Sequence, residues 1–357
     1  MVSGDVRRRR FLQLGGATLA VGAAGCLGDG SGNGSSSGNS SSSGNGDGAG
    51  TTDTPAYAKW VTTVDSDVSF SYLDLAALDE LESDDENSSG GSDSLEDIED
   101  PMLRLPLAGG LSATFAAGFG LSGSGLGGLV GDQQTSGTSF ETSIDDLLVT
   151  NGTIVLSGDV VTEEIDGELT TVPEDSFAEI EFEHTTDVRG YAVYEPAGDQ
   201  QATTTLAVTG EVIVQGSGRT AVERVIETEQ GDRARAADEH ETFRRLLSTG
   251  GHGQMVFGGY SPDGFDGADS GQSSSVSSSG FQLEAFSGLN GAVSSLSFSE
   301  SSSATGETAL VFDELDETGR ADVESVLGKD GSDVSVNFDG PFVSASATFA
   351  DDALENA

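Results

Sequence analysis

The chain has 357 residues, with 61 Asp or Glu against 15 Lys or Arg and a formal net charge of −46 at neutral pH. That excess excludes a non-specific grip on nucleic acid, which needs clustered Lys and Arg, and a single Cys excludes an internal disulfide. With 35% apolar residues and 17 Phe, the composition favours a folded core over a wholly unfolded chain.

The first thirty residues, MVSGDVRRRRFLQLGGATLAVGAAGCLGDG, contrast with everything after them. Arg8-Arg9-Arg10-Phe11-Leu12-Gln13 resembles the twin-arginine export motif, with Arg8, Arg9, Phe11 and Leu12 in its defining places and Gln13 where Lys is usual. The uncharged run from Leu14 to Gly25 has 12 residues, short of the ~20 that a spanning helix needs. Ala23-Ala24-Gly25-Cys26 resembles a lipobox, with Ala23 where Leu is usual. The resemblance implies that residues 1–25 are a signal peptide and that Cys26 becomes the lipid-bearing N-terminus. The implied partner is the membrane, reached through a lipid anchor on its extracellular face, and two acyl chains suffice for stable attachment.

Residues 26–54 are almost entirely Gly, Ser and Asn and are expected to be a flexible tether. Asn33, Asn39, Asn87 and Asn151 each begin an Asn-x-Ser/Thr triplet and are candidate glycan acceptors. The folded part is expected from Pro55 as two α+β units, 55–205 and 206–350. In the first, Tyr57 to Tyr72 suggests one or two strands, and Asp74 caps a short helix carrying Leu75, Leu78 and Leu81. Residues 82–100 form an acidic insert expected to be disordered. Leu105 to Gly131 has 27 uncharged residues, nine of them Gly. A transmembrane helix is one reading of it, but glycines at that density, costly in any helix, with Pro106 near its start, favour buried Gly-rich packing or an apolar loop.

Further on, Thr153 to Ser157 and Tyr191 to Glu195 suggest strands, Thr162 to Leu169 a helix, and Phe177 to Glu183 (FAEIEFE) an alternating strand. Leu206 to Gln215 suggests a hairpin turning at Thr209-Gly210. Thr220 with Glu223 forms a capping-box pattern before Val222, Val225 and Ile226. A second helix is expected near Asp238 to Thr249, and a strand at Met255 to Tyr260. After a polar insert, 261–280, strands are expected at Phe281 to Phe286, Ala292 to Phe298 and Glu307 to Phe312. A helix from Thr318 closes at Gly328, and a hairpin turns at Asp339-Gly340. The fold class expected is therefore α+β, with antiparallel or mixed sheets and helices on one face, in two tandem units of similar layout.

Depletion of Lys, abundance of Asp and Glu, and many Gly, Ser, Thr and Ala resemble the proteins of halophilic archaea, where molar salt cuts the Debye length to ~3 Å and screens self-repulsion. Over about residues 57–349 the pattern is similar to an uncharacterised family of haloarchaeal surface lipoproteins. It is more distantly similar to a bacterial secreted family with a repeated strand–helix layout. The resemblance carries no catalytic residues over.

No local constellation for chemistry is legible. Gly118 to Gly123 and Gly123 to Gly128 fit GxGxxG without the strand and helix that a dinucleotide site requires, and Gly34 to Gly38 fits GxSxG inside the tether. His184, His240 and His252 are not spaced to share a metal, and His240 and His252 are expected to be solvated. Pairs such as Asp145-Asp146 and Glu163-Glu164 carry little meaning among so many acids, and Asp263, Asp266 and Asp269 lack calcium-loop spacing. No catalytic residue, cofactor or metal is expected.

The expectation is a non-catalytic surface module with an envelope partner, monomeric or of unspecified oligomeric state. The alternative is a surface hydrolase or solute receptor whose site is assembled from distant residues. A pocket with two acids of raised pKa beside a histidine would favour the enzyme, and an exposed apolar patch would favour the module.

Overall fold

A computed structural model of the chain describes residues 54–82, 98–130, 140–171, 180–198, 203–265, 286–299 and 303–350. The export motif (Arg8, Arg9, Phe11, Leu12), Cys26, the tether up to residue 53, Asn33, Asn39 and Asn87 lie outside the described residues. So do most of the two polar inserts and the expected strand at 281–285.

Alternating apolar residues build twelve strands: β1 (Val68–Asp74), β2 (Ser143–Thr150), β3 (Thr153–Asp159), β4 (Phe182–Val188), β5 (Tyr191–Pro196), β6 (Thr204–Val208), β7 (Val212–Ser217), β8 (Met255–Tyr260), β9 (Leu289–Ser299), β10 (Ser303–Phe312), β11 (Ser332–Asp339) and β12 (Phe342–Ala350). They form one sheet in the order β11-β12-β10-β9-β8-β1-β2-β3-β7-β6-β5-β4. Every neighbouring pair is antiparallel. The helices are α1 (Leu75–Glu82), α2 (Pro101–Ser122), α3 (Thr162–Thr170), α4 (Arg219–Glu229), α5 (Ala236–Glu239), α6 (Glu241–Gly250) and α7 (Glu317–Val326).

The class is α+β and antiparallel. The helices cover both faces of the sheet, which corrects the expectation of one. Because successive strand residues point to opposite sides, Leu73, Leu147, Leu156, Met255, Leu296 and Leu310 pack beneath α2, α3 and α7. Their neighbours Phe70, Leu148, Val155, Val256, Val293 and Ala309 pack beneath α4 and α6. Two hydrophobic layers thus share a single sheet.

The boundary expected at 205/206 falls inside β6, which pairs with β5 on one side and β7 on the other. A different division is visible in the topology. In β1 to β7 the first three strands are neighbours, a helix follows, and the last strand returns to pair with β3. In β8 to β12 the first three strands are again neighbours, a helix follows, and the last strand returns to pair with β10. The halves meet at the antiparallel β1–β8 pair.

The Gly-rich segment is the largest departure from expectation. Most of it is α2, a 22-residue helix with Pro101 at its first turn and Pro106 inside. Its N-cap is Asp100, whose buried carboxylate accepts from the backbone N–H of Met102 at 3.0 Å and of Gly328 and Asp330 at 3.2 Å. The glycines mark close approach: a Cβ on Gly109 would stand 2.6 Å from Phe257 Cβ, and one on Gly110 2.4 Å from Met255 Cε. Intrinsic propensity loses here to burial against the sheet. The helix is long and apolar enough to cross a membrane by composition, but 44% of that window is buried within the protein.

Smaller corrections concern caps and one strand. Helix α4 starts at Gly218, and Glu223 binds Arg219 rather than closing a capping box with Thr220. Helix α7 is capped by Asp316, which accepts from Gly319 N at 2.8 Å, two residues before the expected Thr318. Of the strand expected at 177–183, residues 177–179 lie outside the described residues, and the strand observed is Phe182–Val188, with Phe182 buried.

Candidate functional site

Among the described residues, a cleft that could hold a ligand lies where α6 ends on the sheet. Gly250 and Gly251 let the chain descend against the strands: a Cβ on Gly250 would stand 2.5 Å from Val293 O. His252-Gly253-Gln254 then lead into β8. Beside them opens a shallow cleft of about 380 Å³, lined by Tyr57, Tyr72, His252, Gln254 and Ser297, with Pro55 at its edge.

One wall is aromatic. Tyr57, from the 3₁₀ turn Ala56–Trp60, stacks on Tyr72 of β1 with ring centroids 4.3 Å apart and planes at 22°. Tyr57 Oη donates to Gly251 O at 2.9 Å, and Tyr72 Oη donates to Asp146 Oδ1 at 2.6 Å. Burial raises the pKa of both phenols, and the hydrogen bond and charge of Asp146 raise that of Tyr72 further, so both remain neutral donors.

Ser297 supplies the floor hydroxyl, and on the same face of the sheet runs a cross-strand row of which Tyr72 alone lines the cleft. Tyr72 lies opposite Val256, Val256 opposite Ser295, and Ser295 opposite Glu307. Ser295 and Ser297 donate to the His252 carbonyl at 3.3 and 3.4 Å. Burial raises the pKa of Glu307, with His252 opposing it. Burial likewise raises that of Asp146, against the hydrogen bond it receives from Tyr72.

Two acids of raised pKa therefore flank a histidine, but β2, which carries Asp146, is separated from β10, which carries Glu307, by β1, β8 and β9. Four steps of ~4.8 Å put the carboxylates about 19 Å apart. Pairs that act on one bond stand ~5–10 Å apart, so these two cannot share a reacting atom. Among the described residues no group of three or more His, Cys, Asp or Glu is arranged to hold a metal.

Of the residues singled out from the sequence, Asn151 is described. It turns the β2–β3 hairpin with φ 45°, followed by Gly152 at φ 77°, the two positive values of a type I′ turn. Its Oδ1 accepts from Ser69 N at 3.0 Å, and its Nδ2, the atom a glycan would occupy, donates to Thr62 O at 2.8 Å. His240, expected to be solvated, instead lies 5.2 Å from Tyr260 with its Nε2 buried and unpaired. His252 is exposed as expected, but beside the cleft. Gly118 to Gly123 lies in the last turn of α2 and just beyond, with no preceding strand.

The cleft residues were missed because they come from four separate segments that only the sheet brings together. The one local signal was the Ser-rich alternation of β9, which places hydroxyls along a buried strand.

A second exposed feature lies on the opposite side. Phe115 and Phe119 of α2 are 72% and 75% exposed and stack on each other with centroids 6.1 Å apart. Compared with known protein families, curated proteins and solved structures, the chain gives no match.

Proposed function

We propose that the chain is a lipid-anchored protein on the extracellular face of a halophilic archaeon, and that it works there as a non-catalytic binding module through the tyrosine cleft. The observation that carries the binding role is the cleft itself: a stacked aromatic wall and a hydroxyl-lined floor, with acids too far apart to act on one bond. The chain's net charge of −46 disfavours phosphate and other anions, so the fitting ligand is neutral or cationic and rich in hydroxyl or amine groups, such as an envelope glycan or a basic segment of an envelope protein. The anchor rests on the motifs around Arg8, Arg9 and Cys26.

A surface enzyme remains the second reading, favoured by Glu307, whose pKa burial raises while exposed His252 opposes the shift. One experiment separates them. Cells expressing Cys26→Ser are expected to release the protein or retain its precursor, and unchanged membrane retention refutes the anchor. The Cys26→Ser protein is then incubated with envelope extract, alone and with Tyr72→Ala. Retention of a component of unchanged mass, lost in Tyr72→Ala, supports binding. A change in that component's mass that Glu307→Gln abolishes establishes the enzyme.

A further inference from the structure

The geometry points to the outer face of α2 as a lipid-contacting surface that seats the domain on the bilayer and turns the tyrosine cleft outward. This rests on the anchored reading of Cys26. The first observation is the composition of that face. From Leu105 to Gly131 there is no charge in a chain of net charge −46. The outward positions Ala108, Leu111, Ser112, Phe115, Phe119 and Ser122 form one stripe, and Phe115 and Phe119 project from it. Among the described residues the only other exposed large apolar side chain is Val334, at 44%. The inward stripe of the helix is already occupied by the sheet.

Area decides between occupants. Two rings about three-quarters exposed offer roughly 300 Å², and the small residues beside them add little. A stable dimer buries ~800 Å² on each partner, so a second copy is poorly served. A bilayer asks for no such minimum: partition grows with whatever apolar area enters it even without the anchor, and the tether adds to it by making the contact intramolecular. Phe has no polar atom to keep at the headgroups, so a projecting Phe pair suits the acyl boundary, as on helices that lie in the membrane surface.

Reach is sufficient. Pro55 lies on the cleft side, opposite α2, so the 28 residues from Cys26 to Asp53 must pass around the body. Fully extended they span at most about 100 Å, against a thickness of about 30 Å for two helix layers and a sheet. Flanking α3 begins with Glu163 and Glu164, and α7 begins with Glu317. These acids repel an anionic surface, and molar salt screens that repulsion.

The test compares two full-length chains, Cys26→Ser and Cys26→Ser/Phe115→Asp/Phe119→Asp, by co-flotation with phosphatidylcholine and phosphatidylglycerol vesicles in multimolar KCl. The expected result is a loss of partition on the order of 100-fold in the triple variant, since each ring is worth about tenfold on full burial. In a Cys26→Ser/Phe115→Trp chain, brominated lipid is expected to quench the new indole, Trp60 being buried. Equal flotation of the two chains, no flotation of Cys26→Ser, or no quenching overturns the proposal. A dimer of Cys26→Ser that sediments as a monomer once both Phe are replaced, without flotation, assigns the face to a second copy and also overturns it. Failure of the anchor is read separately, as membrane retention in cells that does not depend on Cys26.

Discussion

Three glycines of α2 give a graded test of why a Gly-rich, Pro-containing segment is a helix. Replacing Gly by Ala inside a helix gains about 1 kcal/mol of intrinsic propensity wherever space allows. At Gly118 there is nothing within 4 Å of the new Cβ, so Gly118→Ala is expected to stabilise by about 0.5–1 kcal/mol. At Gly110 the nearest atom is the tip of Met255, 2.4 Å away. A thioether end can swing aside, so gain and repacking nearly cancel.

At Gly109 the nearest atoms are Cβ, Cδ2 and Cγ of Phe257, at 2.6 to 2.7 Å. A Cβ cannot move without its strand, so the helix must lift by nearly an ångström from β8. Overpacking of that kind costs about 1–3 kcal/mol, which leaves Gly109→Ala destabilised by up to about 2 kcal/mol after the propensity gain of about 1 kcal/mol. Thermal unfolding followed by far-UV circular dichroism in multimolar KCl reads the series, at about 2 °C per kcal/mol for a chain of this size. The expected order of Tm is Gly118→Ala, wild type with Gly110→Ala, then Gly109→Ala. A Gly109→Ala protein as stable as Gly118→Ala would refute the close approach of α2 to β8.

The acids beside the cleft make stability depend on pH. Burial raises the folded-state pKa of Asp146 and Glu307. The folded state therefore holds those protons longer, and the stability they contribute, full below the ordinary carboxylate values near 4, is lost as pH rises through the folded values. Glu164 has the opposite sign: burial raises its pKa, but hydrogen bonds from Glu141 and Thr142 outweigh it and lower the net value. The expected signature is thus a difference between proteins: Asp146→Asn and Glu307→Gln each flatten the fall of Tm above pH ~4, and an unaltered slope would contradict the burial of these groups. At Asn151 the side chain ties the hairpin to Thr62 and Ser69, so Asn151→Ala is expected to cost about 1–3 kcal/mol from the unpaired groups left behind. Peptide mass spectrometry of the native protein is expected to find Asn151 unmodified, and a glycan there would show that Nδ2 is free.

Elements with a strong local period were legible from residues alone. The hairpin turning at Asp339-Gly340 and the one at Thr209-Gly210 lie where alternation places them, and Asp74 caps α1 by accepting from Ala77 N at 2.9 Å. The cleft was not legible, because Tyr72, Gln254 and Ser297 are brought together only by the sheet, and Tyr57 joins them from a turn that packs against α4. Nor was α2, whose glycines oppose a helix in isolation and permit one only when β8 lies beneath them.

By itself, the sequence determined the extreme charge, the resemblance of Arg8 to Cys26 to export and lipid motifs, the α+β class and most strand positions, because these depend on composition and on periods shorter than a single element. Only the tertiary structure decided that twelve strands form one sheet, that helices cover both its faces, and that Phe115 and Phe119 are left outside. Which side of a helix is buried depends on what lies against it, and for α2 the approach of the sheet to Gly109 and Gly110 selected the inward face and so left the two phenylalanines to solvent.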